Sequence, residues 1–166
     1  MLTLGIDPGT ATTGFGLVQH QGDKLVYITC GCITTTPKES SQGRLALIHQ
    51  QIMALLSKYK PNVVAVERLY FGENSKTAMA VGQARGIILL AAAEHKLPIA
   101  EYTPLEVKVA LTGYGRAEKK QIQQMVRVML KLNDLPRPDD AADALAIAIC
   151  HIHSHKLSRL ASLVKT

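Results

Sequence analysis

The chain has 166 residues, with 19 lysine and arginine residues against 13 aspartate and glutamate residues, and a formal net charge of +6 at pH 7. This length fits one domain of roughly 100–200 residues, and the 47% hydrophobic content excludes a disordered chain. The longest apolar stretch, Gly86 to Ala93, is too short for a membrane span, which needs roughly 18 residues. The three cysteines indicate no disulfide framework. The first residues lack the basic region of a signal peptide, so we expect a cytoplasmic protein.

Three strands are predicted at the start of the chain. They cover Leu2 to Asp7, Gly14 to His20 and Lys24 to Thr34, and Gln21-Gly22-Asp23 forms the turn between the second and the third. The third segment alternates in the way that a half-buried strand does. We therefore expect an antiparallel three-stranded meander.

The hydrophobic period then changes to that of helices and short buried strands. Leu45, Ile48 and Ile52 share one helix face, and the β-branched run after Pro61 fits a central strand that ends at Glu67. The further predicted elements are a helix over about 75–95, a strand over 98–102, a helix that opens at Thr103-Pro104, an amphipathic helix over Ile122 to Leu130, and a helix from Asp139 to about His151.

The predicted order is βββαβαβααα, which is that of an α/β fold similar to ribonuclease H. We expect a five-stranded mixed sheet, an antiparallel meander plus parallel strands, with helices on both faces. Residues 1–155 form this domain. Residues 156–166 are predicted to be a basic C-terminal tail, weakly amphipathic and of the kind that is often mobile.

Four acidic residues lie where the predicted fold would bring them together. Asp7 and Glu67 each end a strand, and the carboxyl ends of adjacent parallel strands meet in one crevice. Asp140 and Asp143 are three residues apart on a helix and so share a face. Mg²⁺ and Mn²⁺ prefer such oxygen ligands, and two ions about 3.5–4 Å apart serve many nucleases. Setting these four aside leaves nine acidic against 19 basic residues, a surface suited to phosphates.

Each acid also has a purely structural explanation. Asp139 and Asp140 both fall in a first helical turn, where acids complement the dipole, and Asp139 is four residues before Asp143, so spacing does not choose between them. Asp7 precedes Pro8 as many turn aspartates do. Glu67 is harder to explain, because an acid after a buried strand needs a partner or an ion.

Four motifs occur in order along nearly the whole chain. They are Gly5-Ile6-Asp7-Pro8-Gly9-Thr10, Val66-Glu67, Gly82-Gln83-Ala84-Arg85-Gly86 and Asp140-Ala141-Ala142-Asp143-Ala144-Leu145-Ala146-Ile147-Ala148. Together they resemble the RuvC family of Holliday-junction resolvases, the crossover junction endodeoxyribonucleases. The resemblance implies a ribonuclease-H-like fold, a homodimer, and Mg²⁺-dependent paired nicking of four-way DNA junctions in recombination and repair. It also implies the RuvA and RuvB branch-migration complex as partner, and selects Asp140 over Asp139 as the third acid of the site.

Two adjacent aromatic residues, Tyr70 and Phe71, follow Glu67 in a polar loop. A ring there can stack on bases that are unpaired at a crossover. The alternative is that one of the two packs the loop onto the domain. The resemblance implies a wedge in this loop and leaves open which of the two rings it is.

Several basic residues are candidates for DNA contacts. Lys108 and Lys119 match family positions for basic residues near the scissile phosphate, although their sequence context alone favours solvated helix lysines. Lys76 and Arg85 are further candidates for phosphate contacts.

Three other functions compete with the resolvase. An actin-like ATPase or sugar kinase shares the pattern of Asp7, Gly9 and Thr10, but such proteins need two domains around the nucleotide, and no Walker A motif is present. A junction-binding protein without activity is disfavoured because all four acids are present. A different nuclease of the ribonuclease H type would reveal itself by its choice of substrate.

Overall fold

A computed structural model describes the backbone of residues 1–68 and 75–163 and the side chains of residues 1–68 and 78–157. The strands are β1 (Leu2–Asp7), β2 (Thr12–Gln21), β3 (Lys24–Thr34), β4 (Val63–Glu67) and β5 (Ile99–Tyr102). The helices are α1 (Ser41–Tyr59), α2 (Ser75–Glu94), α3 (Pro104–Thr112), α4 (Lys119–Met129) and α5 (Asp139–Leu163). No helix in this part of the chain is long and apolar enough to cross a membrane.

The five strands form one mixed sheet in the order β3-β2-β1-β4-β5. β1 pairs antiparallel with β2, and β2 with β3, whereas β4 is parallel to both of its neighbours, β1 and β5. The predicted ribonuclease-H-like arrangement is therefore confirmed in its element order and in its combination of meander and parallel strands.

Side-chain alternation divides the core into two halves, one on each face of the sheet. Leu4 and Ile6 of β1 and Val66 of β4 belong to the half that packs against α1 and α2. Ala65 belongs to the other half, which is formed with α3, α4 and α5. Because successive strand residues point to opposite faces, Glu67 shares the face of Ala65. Asp7, which follows Ile6, likewise points to the face of α5.

Helix α5 packs unusually close to β1 and β2 because both strands present glycines to it. A Cβ atom added at Gly5 would lie 2.7 Å from the Ala148 amide nitrogen, and one added at Gly16 would lie 2.8 Å from the Leu145 amide nitrogen. Real Cβ atoms do not approach backbone atoms so closely. The absence of side chains at these positions therefore sets the distance between the helix and the sheet.

The start of α3 follows the predicted pattern. Pro104 is at the first helical position after the N-cap Thr103, and the side chains of Thr103 and Glu106 form a capping box. The helix ends at Gly113, which adopts a left-handed conformation with φ of 81°. These two ends place α3 beside the carboxyl edge of β4 and β5.

The last helix is longer than predicted. Its backbone continues past His151 to Leu163, and the Lys156 ammonium group donates to Asp23 Oδ1 at 2.7 Å. The predicted end at about His151 is therefore wrong. Residues 164–166 lie outside the described residues, and the division into a domain and a mobile tail at residue 155 stays a prediction.

The close contact at Gly5 predicts a large loss of stability for Gly5→Ala. The added methyl group must push α5 away from β1, and such overpacking lowers the free energy of unfolding by about 1–3 kcal/mol. Gly86→Ala is the matched control, because a Cβ atom there meets no described atom within 4 Å and alanine favours a helix by about 1 kcal/mol over glycine. Urea denaturation of both variants measures the difference. Equal stability of the two variants would contradict the packing argument.

Candidate active site

Asp7 and Glu67 lie side by side at the carboxyl edge of the sheet. Ile6 of β1 is in parallel register with Val66 of β4, so the residues that follow them end adjacent strands at the same level. Both carboxylates point to the face that α5 covers, by the alternation described above. The backbone pairing alone therefore brings these two distant acids together.

Helix α5 adds Asp140 and Asp143 to the same edge. Gly14 of β2 is the direct cross-strand partner of Asp7, and a Cβ atom added to Gly14 would lie 3.1 Å from the Asp140 Cβ atom. Asp140 can therefore lie over the strand beside Asp7 only because Gly14 has no side chain. Asp143 is one helical turn further along and shares the face of Asp140.

A cavity of about 200 Å³ opens at this edge and contains four of the predicted site residues. Glu67 and Asp143 contribute the acids, and Lys108 and Lys119 contribute the cations. The remaining wall is formed by Pro104, Val107, Ile122, Ala146 and Ile147. Carboxylates and ammonium groups are thus held against an apolar wall that reduces their access to water.

The electrostatics of Asp7 show how tightly the acids are gathered. Burial and, in decreasing order, the negative charges of Glu67, Asp143 and Asp140 together raise the pKa of Asp7 to about 7, against the opposing effect of Lys119. All four predicted acids are therefore close enough to repel one another. Such a perturbed carboxylate in a cleft is typical of a functional site.

Among the side chains that the structure describes, Lys119 is the cation that forms an ion pair with the cluster. Its Nζ atom lies 2.8 Å from Asp143 Oδ2, and this contact raises the pKa of Lys119. The pKa of Asp143 is nevertheless raised, because burial outweighs the lysine, and the pKa of Glu67 is raised by burial and by Asp143. The two lysines of the cavity, Lys108 and Lys119, do not balance four carboxylates, so the cluster attracts further cations.

The donor set fits a divalent cation that prefers oxygen. Among the described residues, no three histidine, cysteine, aspartate or glutamate side chains are already arranged as a closed ligand set. Mg²⁺ does not need one, because it keeps several waters and is bound by one or two carboxylates together with substrate phosphates. Asp7, Glu67, Asp140 and Asp143 offer such carboxylates, and their mutual repulsion favours a bound cation.

Sequence spacing did not choose between Asp139 and Asp140, and the structure places Asp139 at the exposed edge of the cluster, where its Oδ2 atom lies 3.6 Å from Lys119 Nζ. The Asp139 side chain is 65% exposed and accepts a hydrogen bond from Gln123 Nε2 at 3.0 Å. Asp140, not Asp139, is among the charges that act on Asp7. The geometry therefore agrees with Asp140 as the third acid of the site.

Of the four other residues that are predicted to contact DNA, the structure describes only the side chain of Arg85, and Arg85 does not line the cavity. Arg85 is 19% exposed, and its Nη2 atom lies 2.5 Å from Glu101 Oε1. Tyr70 and Phe71 lie outside the described residues, and only the backbone of Lys76 is described. Contacts of these four residues with DNA stay predictions.

Sequence patterns missed two residues next to the site, Arg68 and Glu101. Arg68 Nε lies 3.7 Å from Glu101 Oε2, and Glu101 is also the partner of Arg85. The sequence could have indicated Arg68, because it directly follows Glu67. Glu101 gave no signal, because its role depends on the pairing of β4 with β5.

Comparison with known proteins gives the family context of this geometry. The family model described as "Crossover junction endodeoxyribonuclease RuvC" matches residues 3–151. A protein of that description from Syntrophomonas wolfei is 55% identical over 158 residues, which are 95% of this chain and 92% of the relative. The range that the family model matches, residues 3–151, includes all four acids and both lysines of the cavity.

Solved structures of the same kind superpose closely. The RuvC structure of Thermus thermophilus is 37% identical and has a TM-score of 0.90, with 95% of this chain and 97% of that chain covered. The T. thermophilus RuvC in complex with a Holliday junction substrate is 35% identical, with a TM-score of 0.87 and coverage of 95% and 96%. The observed fold is therefore the ribonuclease-H-like fold that the resemblance implied.

The raised pKa of Asp7 predicts that Asp7→Asn stabilises the cation-free protein at neutral pH. Between pH 3.8 and about 7 the folded protein keeps a proton that the unfolded chain loses, so stability falls as pH rises through this window. The asparagine variant escapes this loss. Its advantage should be near zero at pH 4 and on the order of 4 kcal/mol above pH 7, at about 1.4 kcal/mol per pKa unit.

Thermal and urea unfolding in a chelator, from pH 4 to pH 8, measures this advantage. Asp23→Asn serves as control, because Asp23 is exposed and Lys156 lowers its pKa, so this variant gains no stability as pH rises. An Asp7→Asn variant that is less stable than the parent above pH 7 would contradict the assigned burial and repulsion.

Proposed function

This chain belongs to the RuvC family of crossover junction endodeoxyribonucleases, and from that premise we propose that it cleaves four-way DNA junctions at Asp7, Glu67, Asp140 and Asp143. The enzyme is an endonuclease, a hydrolase of DNA phosphodiester bonds in recombination and repair. The observation that carries the choice of site is the raised pKa of Asp7 under the charges of the other three acids. We place its action in the cytoplasm.

The four carboxylates hold the catalytic cations in this proposal. We infer Mg²⁺, with Mn²⁺ as a substitute, and two ions per site. When bound, such ions activate the attacking water and stabilise the leaving oxygen. Asp7 and Glu67 come from rigid, paired strands and anchor the ions, while Asp140 and Asp143 complete the ligand set from α5.

Lys119 and Lys108 offset negative charge on the scissile phosphate. Both line the cavity that contains Glu67 and Asp143. Ammonium groups fixed beside a reacting phosphate act where negative charge develops in the transition state. The pairing of Lys119 with Asp143 keeps that ammonium group in position before DNA arrives. Lys76 and Arg85 are retained as phosphate contacts of the same DNA.

We propose that the active form is a homodimer. Two opposed strands must be cut symmetrically, and a twofold dimer of one chain provides two sites. Met79, Gly86 and Leu90 lie on one face of α2, where Met79 is 73% and Leu90 is 50% exposed. A second copy is the occupant that suits this apolar face. We further propose the RuvA and RuvB complex as the partner that delivers the junction.

Replacing Asp7 by asparagine tests the assignment of the site. Removal of one charged ligand should lower the rate of junction nicking by at least about 100-fold, since even changes behind the metal ligands cost about 10–100-fold. Asp139→Asn removes one carboxylate charge from the first turn of α5, beside Asp140, and should stay within a few-fold of the parent. The measurement is nick mapping on a mobile four-way junction with and without Mg²⁺.

Several outcomes of this experiment would overturn the proposal. Retained cleavage by Asp7→Asn, or nicking that does not depend on a divalent cation, would remove the role of the carboxylates. Faster cleavage of an RNA–DNA hybrid than of the junction would indicate a different nuclease. Binding of ATP in place of junction DNA would favour the actin-like alternative.

Replacing Tyr70 and Phe71 together by alanine tests the wedge. Base stacking on an aromatic ring contributes about 1–3 kcal/mol per base, so the double variant should open the crossover less while binding it almost as well. A fluorescent base analogue at the crossover reports opening, and a gel-shift titration reports affinity. The two single variants identify which ring acts. Unchanged fluorescence in the double variant would exclude a wedge at these positions.

A further inference from the structure

Arg68 is next to the proposed site but has no role in the proposed chemistry. It directly follows Glu67, and its backbone N–H donates to the Tyr102 carbonyl oxygen at 2.7 Å, which extends the pairing of β4 with β5 by one residue. Its side chain is 56% exposed. The backbone of Arg68 is therefore fixed, while its guanidinium group remains accessible to a ligand.

Glu101 holds this guanidinium group from the neighbouring strand. One carboxylate oxygen of Glu101 lies 3.7 Å from Arg68 Nε, and the other lies 2.5 Å from Arg85 Nη2. Hydrogen bonds from Thr103 and, to a smaller extent, the charge of Arg68 lower the pKa of Glu106 in the first turn of α3, so a second carboxylate is near Arg68. Arg85 is the more buried of the two cations that share Glu101, with 19% exposure. The guanidinium group that is accessible to solvent is therefore that of Arg68.

Arg68 lies at the carboxyl edge of the sheet, next to the carboxylate cavity but outside its lining. It directly follows Glu67, and its partner Glu101 is in register with Val66, so the Arg68 side chain is on the α2 side of this edge. Lys108 of α3 and Lys119 of α4 line the cavity from the opposite face of the sheet. Arg68 therefore adds a cation to the edge of the sheet that carries the carboxylates.

We propose that Arg68, oriented by Glu101, binds a backbone phosphate of the DNA next to the phosphate that is cleaved. Guanidinium groups match phosphate oxygens in a bidentate geometry, and an arginine that is already oriented loses less entropy on binding. This inference rests on the proposed function, because it needs DNA at the carboxylate cluster. Arg68 is a binding residue here, and Glu101 is a positioning residue that acts through it.

The test is the salt dependence of junction binding by Arg68→Ala, measured without divalent cations so that no cleavage occurs. Loss of one phosphate contact should weaken binding about tenfold at low salt and reduce the slope of log K against log salt by about 0.9. Lys58→Ala is the matched control. Lys58 is exposed in the last turn of α1, and this helix ends near Leu2 at the opposite edge of the sheet, where Asn62 N–H donates to the Leu2 carbonyl oxygen.

Glu101→Gln separates positioning from simple stabilisation. If Glu101 acts through Arg68, the substitution should weaken binding in the parent and have no further effect on affinity in Arg68→Ala. A purely structural role through Arg85 would lower the unfolding temperature and weaken binding equally in both backgrounds. Arg68→Ala alone still decides the phosphate contact if Glu101→Gln fails to fold.

The outcomes separate this inference from the proposed function. A parent protein that nicks junctions, together with an Arg68→Ala variant that binds with the affinity and salt slope of Lys58→Ala, overturns the inference and leaves the function intact. If the parent protein does not nick junctions in the presence of Mg²⁺, the proposed function itself is wrong, whatever the result for Arg68→Ala. Additive losses in the double variant would overturn the role of Glu101.

Discussion

The close packing of α5 on the glycine-bearing strands β1 and β2 is the constraint on which the site depends. Gly5 and Gly16 let the helix backbone approach the sheet, and Gly14 leaves room for Asp140 beside Asp7. A side chain at these positions would lift the whole helix and carry Asp140 and Asp143 away from the strand ends. The site therefore depends on the packing distance between a helix and a sheet as much as on its acids.

This packing creates an electrostatic conflict inside the fold. Asp7 lies among three other carboxylates and is largely withdrawn from water, which raises its pKa to about 7. Burial of like charges opposes folding, and the hydrophobic core on both faces of the sheet must outweigh it. A conflict of this kind is expected where a protein must hold divalent cations, because the same repulsion that destabilises the empty cluster strengthens cation binding.

The cations around the cluster are also organised by tertiary contacts. Lys119 pairs with Asp143 at 2.8 Å, whereas Arg85 is withdrawn from solvent by Glu101. Sequence reasoning treated Lys119 and Arg85 alike as candidates for phosphate contacts. Their different environments arise because Lys119 begins a helix at the cavity, while Arg85 lies opposite a carboxylate on β5. Of the two arginines that share Glu101, Arg68 is the one that remains exposed.

Sequence alone determined the element order and the mixed sheet, because these depend on local periodicity, and contiguous motifs around Asp7, Glu67 and Asp143 predicted the acids of the site. It could not choose between Asp139 and Asp140 by spacing, and it placed the end of the last helix too early. Only the tertiary structure decided which acid approaches Asp7 and which arginine stays exposed. Those outcomes depend on the register of strands and on the approach of α5 to Gly14, which are contacts between residues far apart in the chain.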